Sequence, residues 1–129
     1  MGEMKMVIVM RRDLHMRKGK IAAQAGHACV SVVLAAMERN GSAGATAEEA
    51  RDALSAWLTD GQKKVCVYVD GEEALLEVHR ALEERGILSV LIQDAGHTEF
   101  HGEPTLTCLA TEPETNERLD PVTGTLPLY

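Results

Sequence analysis

The order in which short apolar runs alternate with longer helical patterns limits this chain to few folds. Residues 4–10 form an apolar run with one lysine near its start, which predicts a buried strand. Similar runs predict strands at 64–69, 87–92 and 105–111. Apolar steps of three and four predict helices at about 20–39 and after two residues expected to act as N-caps, Thr46 and Asp70. The predicted order is β-α-α-β-α-β-β, which indicates the α/β class.

This alternation predicts a largely parallel central sheet with helices on its faces, and a single domain, 1–129. The short link between the last two strands predicts that these two are antiparallel. Residues 40–45 are expected to form a flexible loop, and the proline-containing tail after residue 112 is expected to be loop-like. Ligands of such folds bind outside the carboxyl ends of strands. The loop after the first strand, the start of the first helix and the turn at Asp94 should therefore lie close together.

The net charge of −7 argues against general nucleic-acid binding, but the charge is unevenly distributed. Residues 1–30 carry six Lys or Arg against two acids, whereas the rest of the chain carries seven against eighteen. Such a distribution suits a compact site that binds anions within residues 1–30, while the acidic remainder of the chain repels them. The same distribution is also expected of charges that are merely solvated.

The three cysteines, Cys29, Cys66 and Cys108, are far apart, each lies among apolar residues, and none forms a Cys-x-x-Cys pair. This pattern indicates reduced core residues in a reducing compartment rather than disulfides or a zinc site. The five-residue apolar run at 6–10 is too short for a signal peptide or a membrane span. We therefore expect a cytoplasmic protein that does not associate with membranes.

Four polar residues follow one face of the otherwise apolar first helix: Lys20, Gln24, His27 and Ser31. A solvent-facing stripe would explain them, although such a stripe more commonly carries Glu and Lys pairs. Lys18 and Lys20 at the helix start oppose the helix dipole. Together with unpaired amides they are suited to bind a phosphate or a developing oxyanion. The spacing of a nucleotide-binding P-loop is absent.

The segment Asp94-Ala-Gly-His-Thr98 directly follows a predicted strand. An acid at the carboxyl end of a strand is a common functional carboxylate in α/β enzymes. The alternative is a turn in which Asp94 bonds its own backbone. His97 and His101 lie four apart without a suitable third ligand, so we expect no metal site.

Four segments of the chain resemble the peptidyl-tRNA hydrolase 2 family, in the same order and over nearly the whole length. They are KMVIVMRRDL with KGKIAAQ and His27-Ala, then Trp57-Leu58 with GQKKV, then Asp94-Ala-Gly-His-Thr98, and finally LDPVTGTL near the end. The resemblance implies a three-layer α/β/α fold with a mixed four-stranded sheet, commonly a homodimer, and neither a metal nor an organic cofactor. It also implies cleavage of the ester between a peptide and the 3′ end of tRNA.

The family's functional positions carry over most directly onto Lys20, Asp94 and Thr98, and also match Gln24 and His27. As a hypothesis, Lys20 neutralises the oxyanion, Asp94 holds or deprotonates the attacking water, directly or through His27, and Thr98 fixes the carboxylate or the substrate. The residues expected to bind substrate are Arg12, Arg17, Lys18, Gln24 and His97.

This chain departs from the family pattern at three positions of its basic end. His97 replaces a usual Arg or Lys, Glu99 replaces Gln, and Arg17 stands where Gly is common. A titratable imidazole and an added carboxylate weaken contact with phosphate. Two alternatives to a peptidyl-tRNA hydrolase therefore stay open: a module that binds RNA or protein without turnover, and a hydrolase of another acylated substrate.

Overall fold

The computed structural model describes residues 3–39, 41–42, 45–96 and 99–129, with no side-chain description for 41–51. The chain forms seven strands, four α-helices and a 3₁₀ turn within these ranges. The order is β1 (Met4–Arg11), the 3₁₀ turn (Arg12–Leu14), α1 (Lys18–Glu38), β2 (Gly41–Ser42), β3 (Ala45–Thr46), α2 (Ala47–Thr59), β4 (Lys64–Val69), α3 (Glu72–Glu84), β5 (Ser89–Asp94), β6 (Thr105–Thr111), β7 (Glu114–Thr115) and α4 (Asn116–Thr123).

The main sheet has the strand order β4-β1-β6-β5, and the short β7 pairs with the beginning of β1. Among the neighbouring strands of this path, only β1 and β4 pair in parallel, because β6 is antiparallel to both β1 and β5. The predicted mixed four-stranded sheet and its final antiparallel pair are confirmed. The prediction of a largely parallel sheet holds for strand direction, since β4, β1 and β5 run the same way. It does not hold for pairing, because β6 lies between β1 and β5 and so separates two strands of the same direction.

Side chains alternate across the sheet and so divide the core into two halves, which gives three layers. On one face of β1, Met6, Ile8 and Met10 pack against α1 and α2. On the other face, Val7 and Val9 pack against α3 and α4. The three-layer α/β/α expectation is therefore confirmed.

Helix α1 buries one stripe, at steps of four, against the sheet: Gln24, Ala28, Val32 and Ala36. By length and composition alone it is also apolar enough to cross a membrane, with a mean hydropathy of 1.4. Only the apolar run at 6–10 was considered as a membrane span from the sequence, and the apolar character of α1 was not anticipated. Core helices meet the same criterion, and α1 packs on β5 and β6.

Three local expectations are wrong. The strands β2 and β3 pair within the segment expected to be a flexible loop. The loop-like tail contains α4, because Thr115 caps it by accepting from the Arg118 N–H, Leu119 is fully buried, and Pro121 removes only one backbone donor. The third concerns Asp70, which does not cap α3; its carboxylate instead lies 3.5 Å from Arg12 Nη2.

Candidate active site

Lys20 and Asp94 lie in direct contact although they are 74 positions apart. The Lys20 Nζ is 2.7 Å from Asp94 Oδ1, and only 15% and 13% of the two side chains are exposed. The sheet brings them together because β5 ends at Asp94 and the first turn of α1 packs over the same edge. The predicted proximity of the helix start and the Asp94 turn is confirmed.

Gln24, one turn after Lys20, connects this pair to the sheet. It is only 2% exposed. Its Oε1 accepts a 2.6 Å hydrogen bond from the Thr107 hydroxyl, and its Nε2 donates to Asp94 Oδ1 at 3.4 Å. The alternative in which this helix face is merely a solvated stripe is therefore wrong for Gln24. Sequence reasoning did not identify Thr107, whose only signal is a polar position in an otherwise apolar strand.

The turn after β5 orients the Asp94 carboxylate from its other side. The Gly96 N–H donates to Asp94 Oδ2 at 2.8 Å, so Asp94 also forms the backbone-bonded turn that was its alternative interpretation. Gly96 has a φ of +86°, and a Cβ there would lie 2.3 Å from the Glu103 carbonyl oxygen. The turn that presents Asp94 therefore requires glycine at this position.

Phe100 forms an apolar wall beside Lys20, a contribution that sequence reasoning missed. Its ring centroid lies 5.9 Å from the Lys20 Nζ, and the ring packs against the core cluster on the α1 face. This places the ammonium beside an aromatic face, which attracts cations. The available signal was the scarcity of aromatic residues, since Phe100 is the single phenylalanine of the chain.

His27, the other proposed catalytic residue within the described ranges, does not belong to this contact network. His27 is exposed on α1, and its side chain makes no hydrogen bond or ion pair with any residue that the structure describes. Thr98 and His97 lie outside the described residues. The geometry therefore provides no contact through which Asp94 would act on water by way of His27.

Several cations surround the site, most of them with an acidic partner. Arg17 is 86% exposed and its Nε lies 3.4 Å from Glu99 Oε1, so two of the positions that depart from the family pattern pair with each other. Arg12 is about half exposed, and Lys18 is exposed. In contrast, Arg11 is held by Asp13 at 2.7 Å and by the Leu106 carbonyl at 2.9 Å, which leaves it a structural role.

The cysteines are poorly suited to be nucleophiles. Burial raises the pKa of Cys108, which is fully buried, to about 11. Burial also raises the pKa of Cys29 and Cys66. All three are free thiols, as the sequence predicted. A thiolate is the reactive form of cysteine, so a raised pKa lowers the reactivity of these groups at neutral pH. Within the described ranges, no group of three or more His, Cys, Asp or Glu side chains has the geometry of a metal site.

The chain matches the family model described as Peptidyl-tRNA hydrolase PTH2 over residues 4–129. The peptidyl-tRNA hydrolase of Methanopyrus kandleri is 46% identical over 125 residues, which cover 96% of this chain and 97% of that protein. That of Methanocaldococcus jannaschii is 42% identical over 126 residues, covering 97% and 99%. A solved structure of a protein of unknown function from Agrobacterium tumefaciens has a TM-score of 0.62 at 16% identity, covering 100% of this chain and 99% of that one, and this likeness concerns the fold alone. The resemblance drawn from the sequence motifs is thus confirmed, and the chain belongs to the peptidyl-tRNA hydrolase PTH2 family.

Proposed function

We propose that this protein hydrolyses the ester bond between a peptide, or an N-blocked amino acid, and the 3′ end of tRNA, and so recycles peptidyl-tRNA. The observation that carries the proposal is the contact between Lys20 and Asp94 at the carboxyl end of β5. A shielded ammonium beside a carboxylate supplies both charges that ester hydrolysis needs, one for the oxyanion and one for the water proton.

In the reaction, the water oxygen bonds to the acyl carbon and the bond from that carbon to the ribose oxygen breaks. Lys20 donates to the carbonyl oxygen as it becomes an oxyanion, a contribution of about 3 kcal/mol for one well-placed donor. Asp94 orients the water and accepts its proton, which then passes to the ribose oxygen. The second water proton is left on the new carboxyl group and is released when that group ionises.

The surrounding contacts support this assignment because they fix the carboxylate. Asp94 Oδ1 accepts from Lys20 and Gln24, and Oδ2 accepts from the Gly96 N–H. An ionised carboxylate only accepts hydrogen bonds, so donors on both oxygens match that form. We assign Thr98 to fixing the carboxylate or the substrate, and we give His27, which is exposed on α1, no direct part in the proton transfer.

The tRNA body is proposed to lie against the basic loop between β1 and α1. Arg12, Arg17 and Lys18 are exposed there and are assigned to phosphates, with Gln24 and His97 as further substrate-binding residues. The pairing of Arg17 with Glu99 reduces the free positive charge. Substrate affinity should therefore fall less steeply with salt than for a loop with three unpaired cations.

The proposal is tested with purified protein and labelled N-acetyl-aminoacyl-tRNA. Release of the acyl amino acid should fall by about a hundredfold or more in Lys20→Ala and Asp94→Asn. The matched control is Lys63→Ala, because Lys63 is also paired with an acid, Glu3 at 2.9 Å, but is about half exposed. Tight tRNA binding without release would indicate a binding module. Cleavage of small esters but not of the tRNA ester would indicate a hydrolase of another substrate.

We also propose that the protein is a cytoplasmic homodimer without a cofactor and without membrane association. What supports a dimer is a cluster of exposed apolar residues where α1 and α2 meet: Val30, Leu34, Met37 and Leu58. Apolar hollows between these helices adjoin it. Exposed clusters of this kind mark association surfaces. Sedimentation should give the mass of two chains for the native protein and of one chain for Leu34→Glu, and a native protein that sediments as a monomer would contradict the dimer.

A further inference from the structure

Both tyrosines of the chain meet in one exposed cluster that the hydrolytic mechanism does not use. The ring centroids of Tyr68 and Tyr129 lie 5.9 Å apart in an edge-to-face arrangement, with 79° between the planes. The Arg12 guanidinium lies 3.8 Å from the Tyr68 centroid. Tyr129 is 46% exposed, although burying an aromatic ring is favourable. Of the four aromatic residues in 129, two are thus committed to this surface.

The fold holds the cluster in place by adding the tail to the sheet. The Tyr68 N–H donates to the Pro127 carbonyl at 3.1 Å, and the Tyr129 N–H donates to the Cys66 carbonyl at 3.1 Å. These bonds lay the tail along the outer edge of β4. Backbone hydrogen bonds to β4 therefore hold the Tyr129 ring in position.

The cluster lies on the same sheet face and at the same end as Lys20 and Asp94. Tyr68 is the register partner of Met10 in the parallel pair, and Met10 packs on the α1 face. β4 and β5 end at the same edge, separated by three strand spacings, or roughly 14 Å. The basic loop that carries Arg12, Arg17 and Lys18 spans the interval between them.

We propose that Tyr68, Tyr129 and Arg12 form a stacking subsite for an unpaired nucleobase of the single-stranded 3′ end of the tRNA. This inference rests on the proposed function and extends it to the bases upstream of the scissile ester. Aromatic faces and guanidinium planes are the groups on which proteins stack unpaired RNA bases, and stacking does not depend on which base is present. A subsite of this kind suits an enzyme whose net charge of −7 lowers its affinity for phosphates, because stacking adds affinity that does not depend on charge.

The test compares Tyr129→Leu and Tyr68→Leu with Tyr129→Phe and Tyr68→Phe, which keep the ring. With N-acetyl-aminoacyl-tRNA, each Leu variant should raise KM about five- to hundredfold, the range that stacking of one base provides, and leave kcat unchanged. The Phe variants should behave like the native protein. A substrate trimmed to an N-acetyl-aminoacyl ester of adenosine alone should be hydrolysed equally by all of them, because it does not reach the subsite.

A second measurement uses the native enzyme and so does not depend on how the variants fold. Abasic nucleotides placed one at a time along the tRNA 3′ end should raise KM at one position, and Tyr129→Leu should add little to that rise. If the native protein turns the tRNA substrate over but no abasic position or Leu variant alters KM, the stacking subsite is refuted while the proposed function stands. If the native protein releases no acyl amino acid, the proposed function fails. The subsite is then judged by the Kd for uncharged tRNA, which the Leu variants should raise and the Phe variants should not.

Discussion

The hydroxyl of Thr107 donates a 2.6 Å hydrogen bond to the side-chain oxygen of Gln24, across 83 positions of sequence. Both side chains are buried, at 0% and 2% exposure. Since the Asp94 carboxylate accepts hydrogen bonds, the amide nitrogen of Gln24 must face it, and the oxygen must then face Thr107. Strand β6 thereby fixes which end of the Gln24 side chain points into the active site.

We expect Gln24→Met to reduce both stability and activity. The substitution keeps the length of the side chain but leaves the Thr107 hydroxyl with two long contacts, 3.4 Å to the Ile92 carbonyl and 3.7 Å to Cys108 Sγ. An unsatisfied buried hydroxyl costs about 1–3 kcal/mol, to be measured by urea unfolding. Thr107→Val removes the hydroxyl, so the double variant should be less destabilised than the sum of the two singles. Additive effects would contradict the proposed link.

Gly96→Ala should lower kcat by displacing the Asp94 turn. The added Cβ would lie 2.3 Å from the Glu103 carbonyl oxygen, so the backbone must move. A displacement of about 1 Å at a reacting group can cost about a hundredfold in rate. Gly102→Ala is the matched control, because Gly102 also has a positive φ, +81°, but no atom lies within 4 Å of its added Cβ. Equal activity in the two variants would show that the close approach at Gly96 has no catalytic consequence.

The stability contributed by Glu112 should decrease as pH rises. Burial raises the pKa of the Glu112 carboxyl, and this effect outweighs the lowering by the Leu88 N–H and by Arg39, whose Nη1 is 2.7 Å away. Because the folded pKa exceeds the unfolded one, the contribution is complete below the ordinary value of 4.5 and is lost as pH rises through the raised value. Glu112→Gln does not titrate, so the free energy of unfolding of the native protein should fall relative to this variant across that window.

Urea unfolding at a series of pH values measures this difference. Removing the partner cation by Arg39→Met takes away an influence that lowers the Glu112 pKa, so the window should move to higher pH. A difference between the native protein and Glu112→Gln that is constant with pH, or that grows in favour of the native protein, would contradict the assignment.

Cysteine alkylation should leave the native enzyme active. Cys108 is fully buried and its pKa is raised to about 11, so almost no thiolate is present near neutral pH. Iodoacetamide should therefore leave Cys108 unmodified in the folded protein and should modify it after unfolding in urea, as seen by mass spectrometry. Rapid loss of activity together with modification of Cys108 would overturn the mechanism without a covalent intermediate.

The sequence by itself determined the four long strands and the first three helices. The strands predicted at 64–69 and 105–111 coincide with β4 and β6, and the polar face of the first helix was identified from its spacing. Such features follow from side-chain periodicity and chain-terminating residues, which act over a few positions. The motif around Asp94 was also visible, because an acid directly after an apolar strand is a local pattern.

Only the tertiary structure decided how that polar face is used and which strands are neighbours. Helical spacing lined up Gln24 and His27 equally well, but packing against β6 buries Gln24 and leaves His27 exposed. The insertion of β6 beside β1, the helix in the tail, and the meeting of Tyr68 with Tyr129 likewise depend on contacts between distant segments. The physical reason is that a residue's own pattern sets its backbone conformation, whereas the partner that it meets is set by which distant surfaces exclude water together.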